Sequence, residues 1–346
     1  VTGQNAQLIA QAKKDISLQA SELNSQGSVS VQAGRDLNLS TVNVSRKDLS
    51  SAGDDDYVMH ASSKDVGTQI QAKHDIQLKS GGATSIQAGV INSKEGNVVI
   101  DATKGLSVTE GRETSAHALS THEQRSNAVS SSRKDNLLEE RENLAVASVI
   151  SGKQIVLNSG QDITIQGSNV VSDELTQIQA KENISITAAE NQYAKVSEST
   201  VKKSGFTGSL SDGVASVGYG KTNIKQDNKS QSTSLTQSVV GSVNGNTNII
   251  AGQDLNAVAS IIEAGKDINL MGKNVHLDAA DIKQDTQSKF ESKSSGVSIG
   301  FTYSGEAAAA ASAKKSQDNN DFSDSAVGKI MSSAETVRKA TMAATT

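Results

Sequence analysis

A chain of 346 residues with 2 % aromatic residues and no Pro, Cys or Trp cannot be packed as two or three ordinary globules around large rings. The missing Cys excludes disulfide staples and thiolate metal sites, and a net charge of -5 excludes a chain-wide basic footprint for nucleic acid. No apolar run reaches the roughly 18 residues of a membrane-spanning helix, and low hydrophobicity without Pro or high net charge argues for order rather than disorder.

The first fifteen residues, VTGQNAQLIAQAKKD, have no basic region followed by an apolar stretch and no initiator Met. They predict a piece of a longer chain without a visible signal peptide. A phrase then recurs: AKKDISL (Ala12–Leu18), AGRDLNL (Ala33–Leu39) and AKHDIQL (Ala72–Leu78). Further along come SGQDITI (Ser159–Ile165), AKENISI (Ala180–Ile186), AGQDLNA (Ala251–Ala257), AGKDINL (Ala264–Leu270) and the weaker GKNVHLD (Gly272–Asp278). Asp15 to Asp36 and Asp162 to Asn183 are 21 residues apart; other intervals are 13 or 39.

Each copy joins turn chemistry to a strand with one buried face. Leu37 and Leu39 are expected inside, with Asn38 and Ser40 outside; Ile163 and Ile165, and Ile268 and Leu270, follow the same rule. The turn is expected to use Gly at positive φ and Asp or Asn bonding its own nearby backbone. One such unit cannot bury its apolar face, but a stack of them can. The expectation is an all-β parallel β-helix (a solenoid) over residues 1–305, with about fifteen coils at about 4.8 Å each, roughly 70 Å.

Three polar excursions interrupt it. Residues 48–65 read as a polar loop. Residues 114–144 read as either a charged helix, with Leu137, Leu138, Arg141 and Leu144 at helical spacing, or an extended hairpin, which the Val, Ser and Asn in the flanks favour. Residues 193–237 carry alternating segments in which SVGYGK (Ser216–Lys221) resembles GVSIGFTYSG (Gly296–Gly305), so a longer Ser/Lys/Gly-rich repeat overlays the short one. From Glu306, EAAAAASAKK and the apolar positions Val327, Ile330, Met331, Ala334 and Val337 predict a helical or partly ordered tail over 306–346.

Across residues 1–305 the repeated phrase, with the overlay ESKSSGVSIGFTYSG, resembles the haemagglutinin repeats of large two-partner secreted exoproteins. That group includes filamentous haemagglutinin and the toxin-delivery proteins of contact-dependent growth inhibition. The resemblance implies a right-handed parallel β-helix in a filament on a Gram-negative cell surface, an outer-membrane secretion partner and contact with a target cell. It also implies a middle-to-late segment, because the family's Asn-Pro motifs and the VENN motif before the toxin are missing.

Motifs that suggest chemistry have plainer readings. GVSIG (Gly296–Gly300) matches a nucleophile elbow, yet Ser298 lies in an alternating strand with no helix after it. GYGKT (Gly218–Thr222) is similar to the end of a phosphate loop, but Ala215 stands where its first Gly is needed. His276 takes an outward strand slot, His74 a turn slot, and His60, His117 and His122 lie in excursions, so none is expected to bind metal. Asp54–Asp56 lack the spacing of a calcium loop. Lys14, Lys73, Lys153 and Lys266 sit at turns where they could line one edge. No catalytic, cofactor or metal site is therefore expected.

The sequence predicts a structural and interacting segment serving reach, cell contact or toxin delivery. The alternatives are a β-helical enzyme acting on polysaccharides, or an adhesin with its own glycan or protein receptor.

Overall fold

The alternation in Leu37–Ser40 fixes the side-chain directions of that strand: Leu37 and Leu39 are fully buried, while Asn38 is exposed. The computed structural model describes residues 6–53, 55–211, 214–302 and 310–312, and shows this pattern stacking coil upon coil. Each coil has three short strands except the last, which has two, and equivalent strands of successive coils pair in parallel. The fold is a parallel β-helix.

Three apolar ladders fill the bore. Val31, Leu78, Ile100, Leu157, Ile178 and Ile249 stack on the first face. Leu39, Ile86, Val108, Ile165 and Ile186 stack on the second. Ile70, Ile91, Ile150, Val170 and Val240 stack on the third. All are shielded from solvent. Each such side chain contributes about 1.5–3 kcal/mol by burial. Ile268 points inward by register with Thr247 but is 47 % exposed, because it belongs to the last coil.

Among the described residues there are eight coils, marked on the second face by the strands from Ile16–Gln19 to Asn274–Asp278. The expected fifteen is too many because long insertions consume much of the chain. The 13- and 39-residue intervals also have a geometric cause. The phrase occupies two of the three corners of a coil: Asp36 lies between the first and second faces, Asp75 between the third and first. Lys73, Lys153 and Lys266 share the corner between the third and first faces, while Lys14 lies between the first and second, so three of the four turn lysines follow one edge.

The phrase residues work differently from the expected turn. Gly34 does not need positive φ; a Cβ there would lie 2.2 Å from the carbonyl oxygen of Lys13 in the coil before. Gly160 and Gly252 meet Thr103 and Lys181 in the same way. The Asp or Asn reaches to the next coil rather than to its own backbone. Asp36 Oδ1 accepts the Ala83 N–H, Asp75 Oδ1 the Asn97 N–H, and Asp162 Oδ1 the Asn183 N–H. These bonds satisfy donors that the corner takes out of the strand ladder.

The third corner alternates. In coils one, three, five and seven it is two residues long and turns on a small residue, Ala20, Ala88, Gly167 or Ala259, with φ of 43°, 45°, 53° and 45°. Each gives its N–H to the carbonyl that ends the second-face strand of the next coil, at Ser40, Thr109, Thr187 and Asp278. After each of those four residues the chain leaves the solenoid.

The excursions are antiparallel strands. Residues 48–65, expected as a loop, belong to the hairpin Val42–Ser51 and Tyr57–Val66. Residues 114–144 fall in Gly111–Ser126 and Ser130–Val146, the hairpin alternative and not the helix. The described residues of 193–236 fall in Ala189–Ser211 and Val214–Thr236. The strand Gln284–Thr302 follows, and Ala310–Ser312 pairs with Ser298–Gly300 rather than forming a helix. The other residues of the tail, 306–309 and 313–346, lie outside the described residues.

These eight strands form one sheet in chain order. The described residues fall into two compact units. The first contains the solenoid, within Val1–Glu123, Lys134–Thr200 and Lys225–Phe290; the second lies within Gln124–Arg133, Val201–Ile224 and Glu291–Thr346.

Candidate interaction surface

Strands in a sheet are about 4.8 Å apart, so one hairpin advances about 9.6 Å, as do two coils. Hairpins leave from every second coil and always from the same corner. Their strands can therefore continue as an unbroken sheet beside the coils without strain accumulating between the two. In the first unit this puts a second, antiparallel surface on the solenoid, built from the polar excursions.

Hydroxyls fasten each hairpin where it returns. Thr68 Oγ1 donates to the Leu18 carbonyl at 3.0 Å and accepts the Ser21 N–H at 3.3 Å. Ser148 Oγ donates to the Thr109 carbonyl at 2.6 Å and accepts the Gly89 N–H at 3.0 Å. Ser238 Oγ donates to the Thr187 carbonyl at 2.7 Å and accepts the Ser168 N–H at 3.2 Å. All three are fully buried. An apolar residue there would leave buried donors without partners. Sequence reasoning missed this set; the signal was Ser or Thr immediately before each third-face strand that follows a hairpin.

The sheet carries a charged row. Asp48 pairs with His60 and His60 with His117, whose rings stack at 4.5 Å between centroids. Beyond them Lys195 Nζ lies 2.7 Å from Glu140 Oε1. The bonded Lys195 ammonium holds the Glu140 carboxyl below its ordinary range, with a smaller contribution from His117, and Glu140 raises Lys195 in return. A groove of about 380 Å³ beside the histidine stack is lined by Arg46, Asp48, Ser62 and Ser115.

The remaining motif residues have structural placements. Ser298 is in the strand Gln284–Thr302, opposite Ser312. Gly218 lies in a long strand, and a Cβ there would meet the Val297 carbonyl oxygen at 2.8 Å, so the glycine serves strand contact. Asp56 accepts the His122 N–H, and the Asp55 carbonyl accepts the Ser120 hydroxyl at 2.7 Å; Asp54 lies outside the described residues. His122 Nδ1 bonds to Asp135. His276 is exposed and the His74 carbonyl accepts Ser93 Oγ–H at 2.6 Å. Lys73 and Lys153 approach Glu95 and Glu174 within 3.8 and 3.4 Å. Among the described residues no three His, Cys, Asp or Glu side chains are grouped to hold a metal ion.

Comparison with known proteins adds to this geometry. The model of the hemagglutinin repeat matches residues 127–240 and 217–340. A protein named tRNA nuclease CdiA from Escherichia coli (strain STEC_O31) is 26 % identical over 91 % of this chain and 10 % of its own length. tRNA nuclease CdiA-2 from Burkholderia pseudomallei (strain 1026b) is 29 % identical over 68 % of this chain and 8 % of its own. Toxin CdiA of Yersinia pestis is 33 % identical over 46 % of this chain and 5 % of its own. The chain thus spans a tenth or less of these relatives. No solved structure matches.

Proposed function

The chain belongs to the haemagglutinin-repeat family, and on that premise we propose that it is a structural and interacting segment of a large secreted exoprotein on a Gram-negative cell surface. Its work is to help present or pass on a toxin to a contacted cell. The relatives' names describe a toxin and tRNA nucleases; this chain is read as the part that carries and makes contact, with an outer-membrane secretion partner acting on the whole protein. The observation that carries this reading is the hairpin at every second coil. A passive stalk needs only coils. Here four exits from one corner build a second surface along the solenoid, and buried hydroxyls hold three of the returns.

The test uses the full-length exoprotein in co-culture. Residues 110–147 are replaced by one Ala, which copies the corner at Ala88. Surface display, measured by protease accessibility on intact producers, is expected to persist while killing of target cells falls at least tenfold. Undiminished killing with normal display would refute a delivery role. Transfer RNA cleavage by the isolated 346-residue chain would refute the carrier reading and place the enzyme here.

A further inference from the structure

One sheet face of the second unit is amphiphilic. Phe206 N–H donates to the Val129 carbonyl, the Phe206 and Tyr219 rings meet edge-on at 5.4 Å, and Gly296 abuts Gly220. This register puts Val129, Phe206, Tyr219 and Val297 in one row across neighbouring strands. Val217 and Ile299, two residues away, share the face. All six are between 44 and 67 % exposed, and large apolar side chains gathered on an open face mark an interaction surface. Two to four residues along the same strands, Arg133, Lys202, Lys221 and Lys293 line a groove of about 570 Å³ with no carboxylate in its lining. Among the described residues Lys202, Lys221 and Lys293 have no ion-pair partner.

The chain itself supplies a complement to both halves of this face, and delivers it there. Ala310–Ser312 pairs antiparallel with Ser298–Gly300, so residue 313 follows directly beside Val297, and the strand heads along its neighbour from the apolar row toward Lys293. The sequence after it carries Asp318, Asp321 and Asp324 with no Lys or Arg between them. Then come Val327, Ile330, Met331, Ala334 and Val337, on one side of the helix that the sequence predicts. A helix from Val327 to Val337 is about 15 Å long. The apolar row crosses four strands, about 14 Å.

We propose that residues 317–338 of the same chain cover this face. The three aspartates meet the lysine groove, and the helix lays its apolar side across Phe206 and Tyr219, as an amphipathic helix does on an apolar surface. Order, charge and length agree: the acidic stretch comes first, where the strand heads for the basic row, and the apolar helix matches the row's span. A free polyanion would cover the lysines and leave the apolar row in water. A second copy placed face to face would bring lysine rows of like charge together. A short tether also gives the tail an effective concentration of about 1 mM or more, so any other partner of this face has to displace it. The inference stands on the side chains of this unit and the sequence of the tail, and is independent of the delivery reading.

The test keeps the full 346-residue chain. It has no Trp, so Phe206→Trp supplies a single reporter on the face. Its emission is expected to be blue-shifted, shielded from acrylamide and independent of protein concentration. In that background V327S/I330S/M331S should shift the emission to the red and expose it to the quencher. D318N/D321N/D324N and K202Q/K221Q/K293Q should each do the same in part, as should raised salt, which screens the paired charges. The substituted positions lie in the tail or on the exposed face, so the strand signal in circular dichroism should persist. Emission typical of a water-exposed ring in the parent, or a blue emission that V327S/I330S/M331S does not move, would overturn the proposal. Silence of both charge variants would overturn the pairing of the aspartates with the lysine groove. A blue shift that grows with protein concentration would assign the face to a second copy instead.

Discussion

The carboxylate of Asp15 accepts the backbone N–H of Asp36, 21 residues further along the chain, at 3.1 Å. The two residues hold the same place in successive copies of one phrase, so the repeat is also a bonding device: here one copy supplies an acceptor to the next, as Asp36 and Asp75 do to the coils that follow them. Arg35 adds to it by bonding Asp15 through Nε at 2.6 Å and through its terminal nitrogen. The turn slot that looks like free surface in the sequence is used here to tie two coils.

This pair gives a prediction about pH. The Arg35 side chain, followed by the Asp36 N–H, lowers the Asp15 carboxyl to about 2. A carboxyl depressed in the folded state contributes stability above its unfolded value of about 3.9 and loses it as pH falls toward the folded value. Acid unfolding should therefore include a contribution between about pH 4 and 2 that Arg35→Gln reduces. Carboxyl resonances followed by NMR should show Asp15 titrating higher in that variant; an unchanged titration would refute the role of Arg35.

The interior copies should matter energetically. Asp162 accepts both the backbone N–H and the side-chain amide of Asn183, at 3.0 and 2.9 Å. Asp162→Ala is expected to lower stability by about 1 kcal/mol, while Asp162→Asn keeps an acceptor oxygen and most of that stability. Urea midpoints for both variants measure the difference.

Ser148 and Ser238 should be more sensitive. Each is fully buried and accepts an N–H from the coil before. Replacement by Ala leaves that donor unpaired at a cost of about 1–3 kcal/mol. Ser148→Thr should be tolerated, since Thr68 fills the equivalent place. Thermal melting ranks them; Ala and Thr variants of equal stability would contradict the hydroxyl's role.

The alternate corner predicts a dependence on residue shape. Ala88 has φ of 45°, where a β-branched side chain is strained. Ala88→Val should destabilise by about 1–3 kcal/mol, whereas Ala88→Gly should stay near the parent because relief of strain offsets the added freedom of the unfolded chain. Chemical denaturation of the two variants is the check.

The sequence determined the solenoid. Alternating Leu, Ile and Val, scarce rings and the absence of Pro leave a narrow stack as the way to bury apolar surface, and the strands and inward residues follow from local order. It did not determine the coil count, the excursions or the corners. In Val42–Ser51, polar residues pair with the one neighbouring strand, Tyr57–Val66, and every side chain of the strand is exposed, so the hydrophobic alternation that marks a coil strand is weak there. The Thr68, Ser148 and Ser238 hydroxyls are inconspicuous in sequence because their partners lie tens of residues away. The tertiary structure decided that hairpins leave at every second coil, since a hairpin and two coils share one advance along the sheet. It also gathered Phe206, Tyr219 and three lysines from separate strands onto one face, which spacing along a single chain does not display.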